Sequence, residues 1–177
     1  MAVTLGALQA GLYAAERETI AVLGIRWRRL ADAQAYVDRL ICSEWFFERW
    51  PHLVRCTVER RGEGSVWSTC QPLDAQGLAG GATEGVVLVA DGALAQPVVL
   101  HELAHLLVSP GTGHQPAFAE TLLSLVRHEM GFDAFAAYYH ALRRREGFAG
   151  VGEGVDARDA TIEAEQGSEP LRRGSEG

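Results

Sequence analysis

The sequence HELAH places His101, Glu102 and His105 together in one short segment. On a helix, residues four apart share one face with their Cβ atoms about 5–6 Å apart, so both imidazoles can point at one position. Zinc accepts imidazole nitrogen at about 2.0–2.1 Å and prefers tetrahedral coordination, which leaves room for another protein ligand and a water. Glu102 stands beside that position and can take a proton from the water, whose pKa the ion lowers to about 7. The pattern predicts a hydrolytic zinc site with Glu102 as general base.

The neighbours of these three residues are almost all aliphatic: Val98, Val99, Leu100, Leu103, Leu106 and Leu107. Such a run buries the helix, and buried polar side chains need partners. The alternative interpretation is a pair of histidines that hydrogen-bond separately within a core. A single ion satisfies both imidazoles at once, which favours the metal.

A third ligand is expected from the loop that follows. His114 lies between Gly113 and Gln115, close after Gly111, and the two glycines allow the backbone to turn back sharply. The alternatives are that His114 is an exposed loop residue or a residue at the start of a helix, or that Glu120 on the next helix is the third ligand, giving a His, His, Glu site.

HELAH followed by GTGHQPAF resembles the HExxH and GHGPEF elements of SprT-like zinc metalloproteases. The resemblance implies zinc on His101, His105 and His114, with Glu102 as general base. Gln115 and Ala117 replace the usual Gly and Glu of the second element. The sequence is also similar to small actinobacterial zinc metallohydrolases, through AQAYVDRL, a Gly-rich strand region and VVLHELAHLL, over most of residues 5–145. HELAHLL further resembles regulatory peptidases of the ImmA/IrrE type.

Hydrophobic periodicity predicts the helices that must position these residues. Apolar spacing indicates an amphipathic helix over 4–23 and a second over 30–50, whose aromatic residues we expect to pack in the core. Pro97 suits the first turn of a helix that carries HELAH to about Val108. Pro116 opens another to Met130, and a last helix runs from Phe132 to Glu146.

The strands are expected between the second and third of these helices. Residues 54–58 alternate in polarity, and a turn at 61–64 followed by 65–70 predicts a hairpin. A Gly-rich loop covers 77–85. The apolar run 86–90 predicts a strand buried on both faces or packed under a helix, and a peptide could add to it if its edge is free. The expected class is α+β and zincin-like, with a short sheet of three or four strands, antiparallel or mixed.

Hydrolysis also needs a donor to the developing oxyanion besides the metal. The sequence offers four candidates, each of which also suits a packing or surface role: Tyr138, Tyr139, His128 and His140.

Composition limits the remaining function classes. The net charge is −7 and all 16 basic residues are arginine, so neither a nucleic-acid-binding face nor lysine catalysis is expected. The three cysteines lack the close spacing of a zinc ribbon or disulfide framework. No run is long enough to cross a bilayer, and the N-terminus has no secretory pattern, so we expect a cytoplasmic protein.

We therefore expect one zincin-like domain over 1–147 and a disordered acidic tail over 148–177, in which seven acidic and three basic residues fall. The predicted function is a zinc-dependent hydrolase of the peptidase class with a peptide or protein substrate. The alternative is a non-catalytic binding or regulatory module that zinc stabilises.

Overall fold

The computed structural model describes residues 4–65, 67–73 and 82–152. This part of the chain mixes helices with a small sheet, in agreement with the expected α+β class. Its elements in chain order are α1 (Leu5–Glu18), α2 (Ile20–Leu23), α3 (Leu30–Ile41), α4 (Glu44–Arg49), β1 (Arg55–Arg60), β2 (Thr69–Pro72), β3 (Glu84–Val89), α5 (Gln96–Leu107), α6 (Pro116–Met130) and α7 (Phe132–Arg143).

The sheet has the order β1-β3-β2, with β1 parallel and β2 antiparallel to β3. The predicted hairpin is therefore wrong, because β3 lies between the two strands that were expected to pair. The physical reason is burial: β3 is the most apolar of the three strands, and the centre of the sheet is where it exposes least surface. Since β3 is paired on both sides, its edge is not free, and the condition for adding a peptide to this strand is not met.

The outer edge of β1 is covered by one side chain from α3. Gln34 Oε1 accepts the Val58 N–H at 2.7 Å, and Gln34 Nε2 donates to the Cys56 carbonyl at 2.9 Å. The amide thus replaces a neighbouring strand and closes an edge that could otherwise pair with another chain. Among the described residues, the outer edge of β2 has no strand partner.

Two of the predicted helices are each divided in the structure. The first ends at Glu18 and resumes as α2, and the second breaks after Ile41 before α4. At the second break, the Ser43 side chain caps α4 by accepting the Phe46 N–H at 3.2 Å. The aromatic residues of this segment differ in burial. Phe46 is fully buried, as expected, whereas Phe47 is 63% exposed and does not pack in the core.

Helix α5 is the central helix of the fold and packs between the sheet and α6. Its first residue, Gln96, is buried and donates from Nε2 to the Tyr36 hydroxyl and the Glu129 carbonyl, at 3.3 and 3.1 Å. Gln96 Oε1 accepts the Ile25 N–H at 3.3 Å. These bonds attach the start of α5 to three other segments, so the helix is held in a defined orientation.

Buried residues continue past residue 147, where the expected domain ends. Phe148 and Val151 are buried in the core, so the structure shows 148–152 packed rather than free. The remainder of the predicted tail, and most of the predicted Gly-rich loop, lie outside the described residues. No helix in the described ranges combines the length and apolar content needed to cross a membrane.

Candidate metal centre

His101, Glu102 and His105 lie on the last two turns of helix α5. His101 and Glu102 are only 5% and 7% exposed. The rings of His101 and His105 lie edge to face with their centroids 5.0 Å apart, as expected for histidines one turn apart.

The loop after α5 returns His114 to the same place. Gly111 and Gly113 have φ angles of 83° and 58°, in the left-handed region that favours glycine, and they turn the chain back. His114 Nε2 lies 3.2 Å from His101 Nε2. One nitrogen from each of the three histidines lies within 4.8 Å of the others, so the cluster can bind a metal ion.

The 3.2 Å separation between the two Nε2 atoms fits a tetrahedral ion. Bonds of about 2.0–2.1 Å that meet at a tetrahedral angle place their two nitrogens roughly 3.3 Å apart. Glu120, the alternative third ligand, is exposed and does not belong to the group of candidate ligands found among the described residues. The donor set is therefore three imidazoles.

A carboxylate from α1 fixes the orientation of His101. Glu16 Oε1 lies 2.7 Å from His101 Nδ1, and both side chains are largely buried. In the neutral form of His101, a proton held on Nδ1 by this bond leaves Nε2 unprotonated and directed toward the other imidazoles. Such outer carboxylates orient ligating histidines and increase their basicity. Sequence reasoning missed Glu16, because it lies 85 positions before His101 and belongs to no motif.

Burial gives the three histidines different protonation behaviour. Burial, followed by the charge of His101, lowers the pKa of His105 to about 3 and that of His114 to about 4. At His101, burial lowers the pKa, but the attraction and hydrogen bond of Glu16 outweigh it, so the net shift is upward. His105 and His114 are thus neutral near pH 7, the form that binds a metal.

Glu102 lies in an environment that favours its protonated form more than water does. Burial raises the pKa of Glu102 to about 7, opposed by the charges of His101 and Arg61 and reinforced by Glu16. A carboxyl group with a pKa near the working pH can both accept and return a proton.

Two aromatic rings enclose the histidines. Phe118 of α6 is fully buried and contacts all three imidazoles, with ring centroids 5.0, 4.2 and 5.1 Å from those of His101, His105 and His114. Tyr13 of α1 stacks on His101, at 5.3 Å and an interplanar angle of 19°. The cluster therefore has one apolar wall and one wall that carries a hydroxyl.

None of the four predicted oxyanion donors makes a ring contact with the three histidines, although burial and then the charge of Glu16 raise the pKa of Tyr138, which places its hydroxyl near that carboxylate. Tyr138 is fully buried in the core. The Tyr139 hydroxyl accepts from Arg143 at 2.8 Å, and His128 stacks on Trp45 at 3.8 Å. His140 is exposed and contacts the Tyr139 ring.

Comparisons with family models, curated proteins and solved structures find no match to this chain. Its chemistry therefore follows from the geometry of the site, in which a buried histidine and two half-buried histidines lie together, with one carboxylate against His101 and a second next to it in the sequence.

Proposed function

We propose that the protein is a zinc-dependent hydrolase of the peptidase class with a zincin-like site. The single observation that carries the proposal is the convergence of His101, His105 and His114 on one position with Glu102 adjacent to the first of them. Three protein ligands with an open fourth position are typical of catalytic zinc, whereas structural sites are closed by four. The nitrogen-only donor set suits zinc better than magnesium or calcium, which prefer oxygen.

Each residue has a definable part in the reaction. Zinc at this position would polarise a carbonyl oxygen and lower the pKa of a nearby water to about 7. Glu102 takes the proton as the water attacks the carbonyl carbon and passes it to the leaving amine, so the carboxylate ends the cycle unprotonated. Glu16 holds His101 in the tautomer that directs Nε2 inward.

The outer edge of β2 offers a place for an extended peptide. Burial, and then the charge of Glu102, raise the pKa of the Cys70 thiol to about 12, so β2 runs beside the general base. The Leu73 N–H bonds the Glu84 carbonyl, and in this antiparallel register Cys70 directs its own N–H and carbonyl away from β3. A peptide added to this edge would gain main-chain hydrogen bonds next to Glu102.

The test compares wild type with Glu102→Gln, which keeps the shape of the side chain and removes the base. We expect both proteins to hold about one zinc per chain, measured by elemental analysis, and only wild type to cleave casein or a peptide library. The matched control is Glu120→Gln, an exposed change that should preserve both properties.

The alternative outcomes separate the two candidate functions. Stoichiometric zinc in a wild type that cleaves no substrate supports the non-catalytic zinc-stabilised module. A wild type that takes up no zinc overturns both. Loss of zinc in Glu120→Gln would show that the three-histidine ligand set is wrong.

A further inference from the structure

The hydroxyl-bearing wall of the site comes from α1, a helix that sequence reasoning did not connect with it. Tyr13 and Glu16 are three residues apart on α1 and therefore share a face. Glu16 contacts His101 from behind at Nδ1, while the Tyr13 ring lies flat on His101 and 5.1 Å from the ring of His114. Tyr13 thus contacts two of the three proposed ligands.

The Tyr13 hydroxyl is placed to reach a bound molecule. Tyr13 is half-buried, and its hydroxyl is hydrogen-bonded to the side chain of Gln9. Burial raises the pKa of Tyr13, and the charge of Glu102 contributes to this shift, so the two side chains lie near each other. Gln9 is an exposed side chain one turn earlier on α1, so it can release the hydroxyl to a ligand at little cost. The phenol is therefore open to solvent on one side, because it is half-buried and its neighbour Gln9 is exposed.

A hydroxyl at this position could supply the hydrogen-bond donor that the proposed reaction needs besides the metal. Attack on a carbonyl leaves negative charge on its oxygen, and a fixed donor in a water-poor site stabilises that charge strongly. The donors expected from sequence do not contact the histidines, whereas Tyr13 contacts His101 and His114 directly.

We propose that Tyr13 is a catalytic residue whose hydroxyl donates a hydrogen bond to the oxyanion formed at the metal centre. The proposal rests on the proposed hydrolase function. The phenol keeps its proton throughout, so Glu102 alone carries out the proton transfers. The Tyr13 hydroxyl, on the α1 side, is then a second group besides the ion that stabilises the oxyanion.

The test uses Tyr13→Phe, which retains the ring that stacks on His101 and removes only the hydroxyl. The full chain is loaded with cobalt(II), whose visible spectrum reports on its ligands, and titrated with methylphosphonate as a stable tetrahedral oxyanion. We expect the variant to take up cobalt as wild type does and to bind methylphosphonate about 10- to 100-fold more weakly, the usual loss for one hydrogen bond to a charged group. With a cleaved substrate, kcat should fall about 10²- to 10³-fold with little change in KM.

The control is Tyr139→Phe, which removes a phenol hydroxyl that bonds Arg143 and should change neither measurement. Equal methylphosphonate affinity in wild type and Tyr13→Phe overturns the role of Tyr13 while leaving the hydrolase proposal intact. Loss of cobalt by Tyr13→Phe likewise overturns it, because the hydroxyl would then serve the metal site itself. Wild type that takes up no cobalt or zinc refutes the proposed function, and the role of Tyr13 with it.

Discussion

Replacing Glu16 by glutamine removes a charge from the metal centre but leaves an oxygen that can still accept the His101 Nδ1–H. The bond is short, at 2.7 Å, and its two side chains are 6% and 14% exposed, so solvent screens it little. Loss of such an outer partner typically costs 10- to 100-fold in metal affinity. We expect about 10-fold weaker zinc binding for Glu16→Gln and close to 100-fold for Glu16→Ala, about 1.4 and 2.7 kcal/mol.

The assay is competition for zinc against a chromophoric chelator at pH 7.5, with thermal unfolding of the metal-free proteins measured alongside. Glu18→Gln is the matched control, because it removes the same charge from the same helix at a half-exposed residue that pairs with Arg144 and Arg145. It should leave zinc affinity unchanged. A zinc affinity of Glu16→Gln within twofold of that of wild type would refute the assignment of Glu16 as the residue that positions His101. An equal loss of zinc affinity in Glu18→Gln would refute it too.

Two further predictions concern stability. Because the folded pKa values of His105 and His114 are about 3 and 4, below the ordinary value, the stability that these two histidines contribute to the metal-free protein should be fully present above about pH 6.5 and decline toward pH 4. Urea unfolding in EDTA checks this contribution, as the difference between wild type and a variant in which glutamine replaces both histidines. Gly85→Ala would place a Cβ 2.5 Å from Leu106 Cδ1 and should destabilise the fold by about 1–3 kcal/mol, whereas Gly6→Ala, which faces open space on α1, should stabilise it by up to about 1 kcal/mol. Equal effects of the two alanines in chemical denaturation would contradict the close packing of α5 on β3.

Local signals were sufficient to predict the helices around the site. Pro116 begins α6 and Met130 ends it, as expected, and α5 begins one residue before Pro97. Proline at the first turn and glycine after the last are properties of the chain within a few residues, so they can be read without knowledge of the fold. The division of the earlier helices at Thr19 and Ser43 was not predicted, because the apolar spacing continues across both positions.

The order of the strands could not be predicted in the same way. The segments that became β1 and β2 are neighbours in sequence with a turn between them, which is the usual pattern of a hairpin. Their separation by β3 depends on which strand buries most apolar surface, and that is a property of the whole sheet. Parallel pairing of β1 with β3 has no local sequence signal.

The candidate site was predictable only where its residues are close in sequence. His101, Glu102 and His105 lie within one helical segment, and His114 follows in a loop with two glycines. Glu16 and His101 are 85 positions apart, and nothing in α1 marks its polar face as part of a site. The spacing of Tyr13 and Glu16 was the one available signal, and it is too common on helices to carry a prediction.

The position of β3 has a consequence for synthesis of the chain. The central strand is the last of the three to leave the ribosome, so β1 and β2 exist for a time without the neighbour that joins them. Nascent strands with unpaired backbone groups are prone to aggregate. Gln34 is made before β1 and can shield its outer side, but the inner sides of both strands stay open until Glu84–Val89 is inserted.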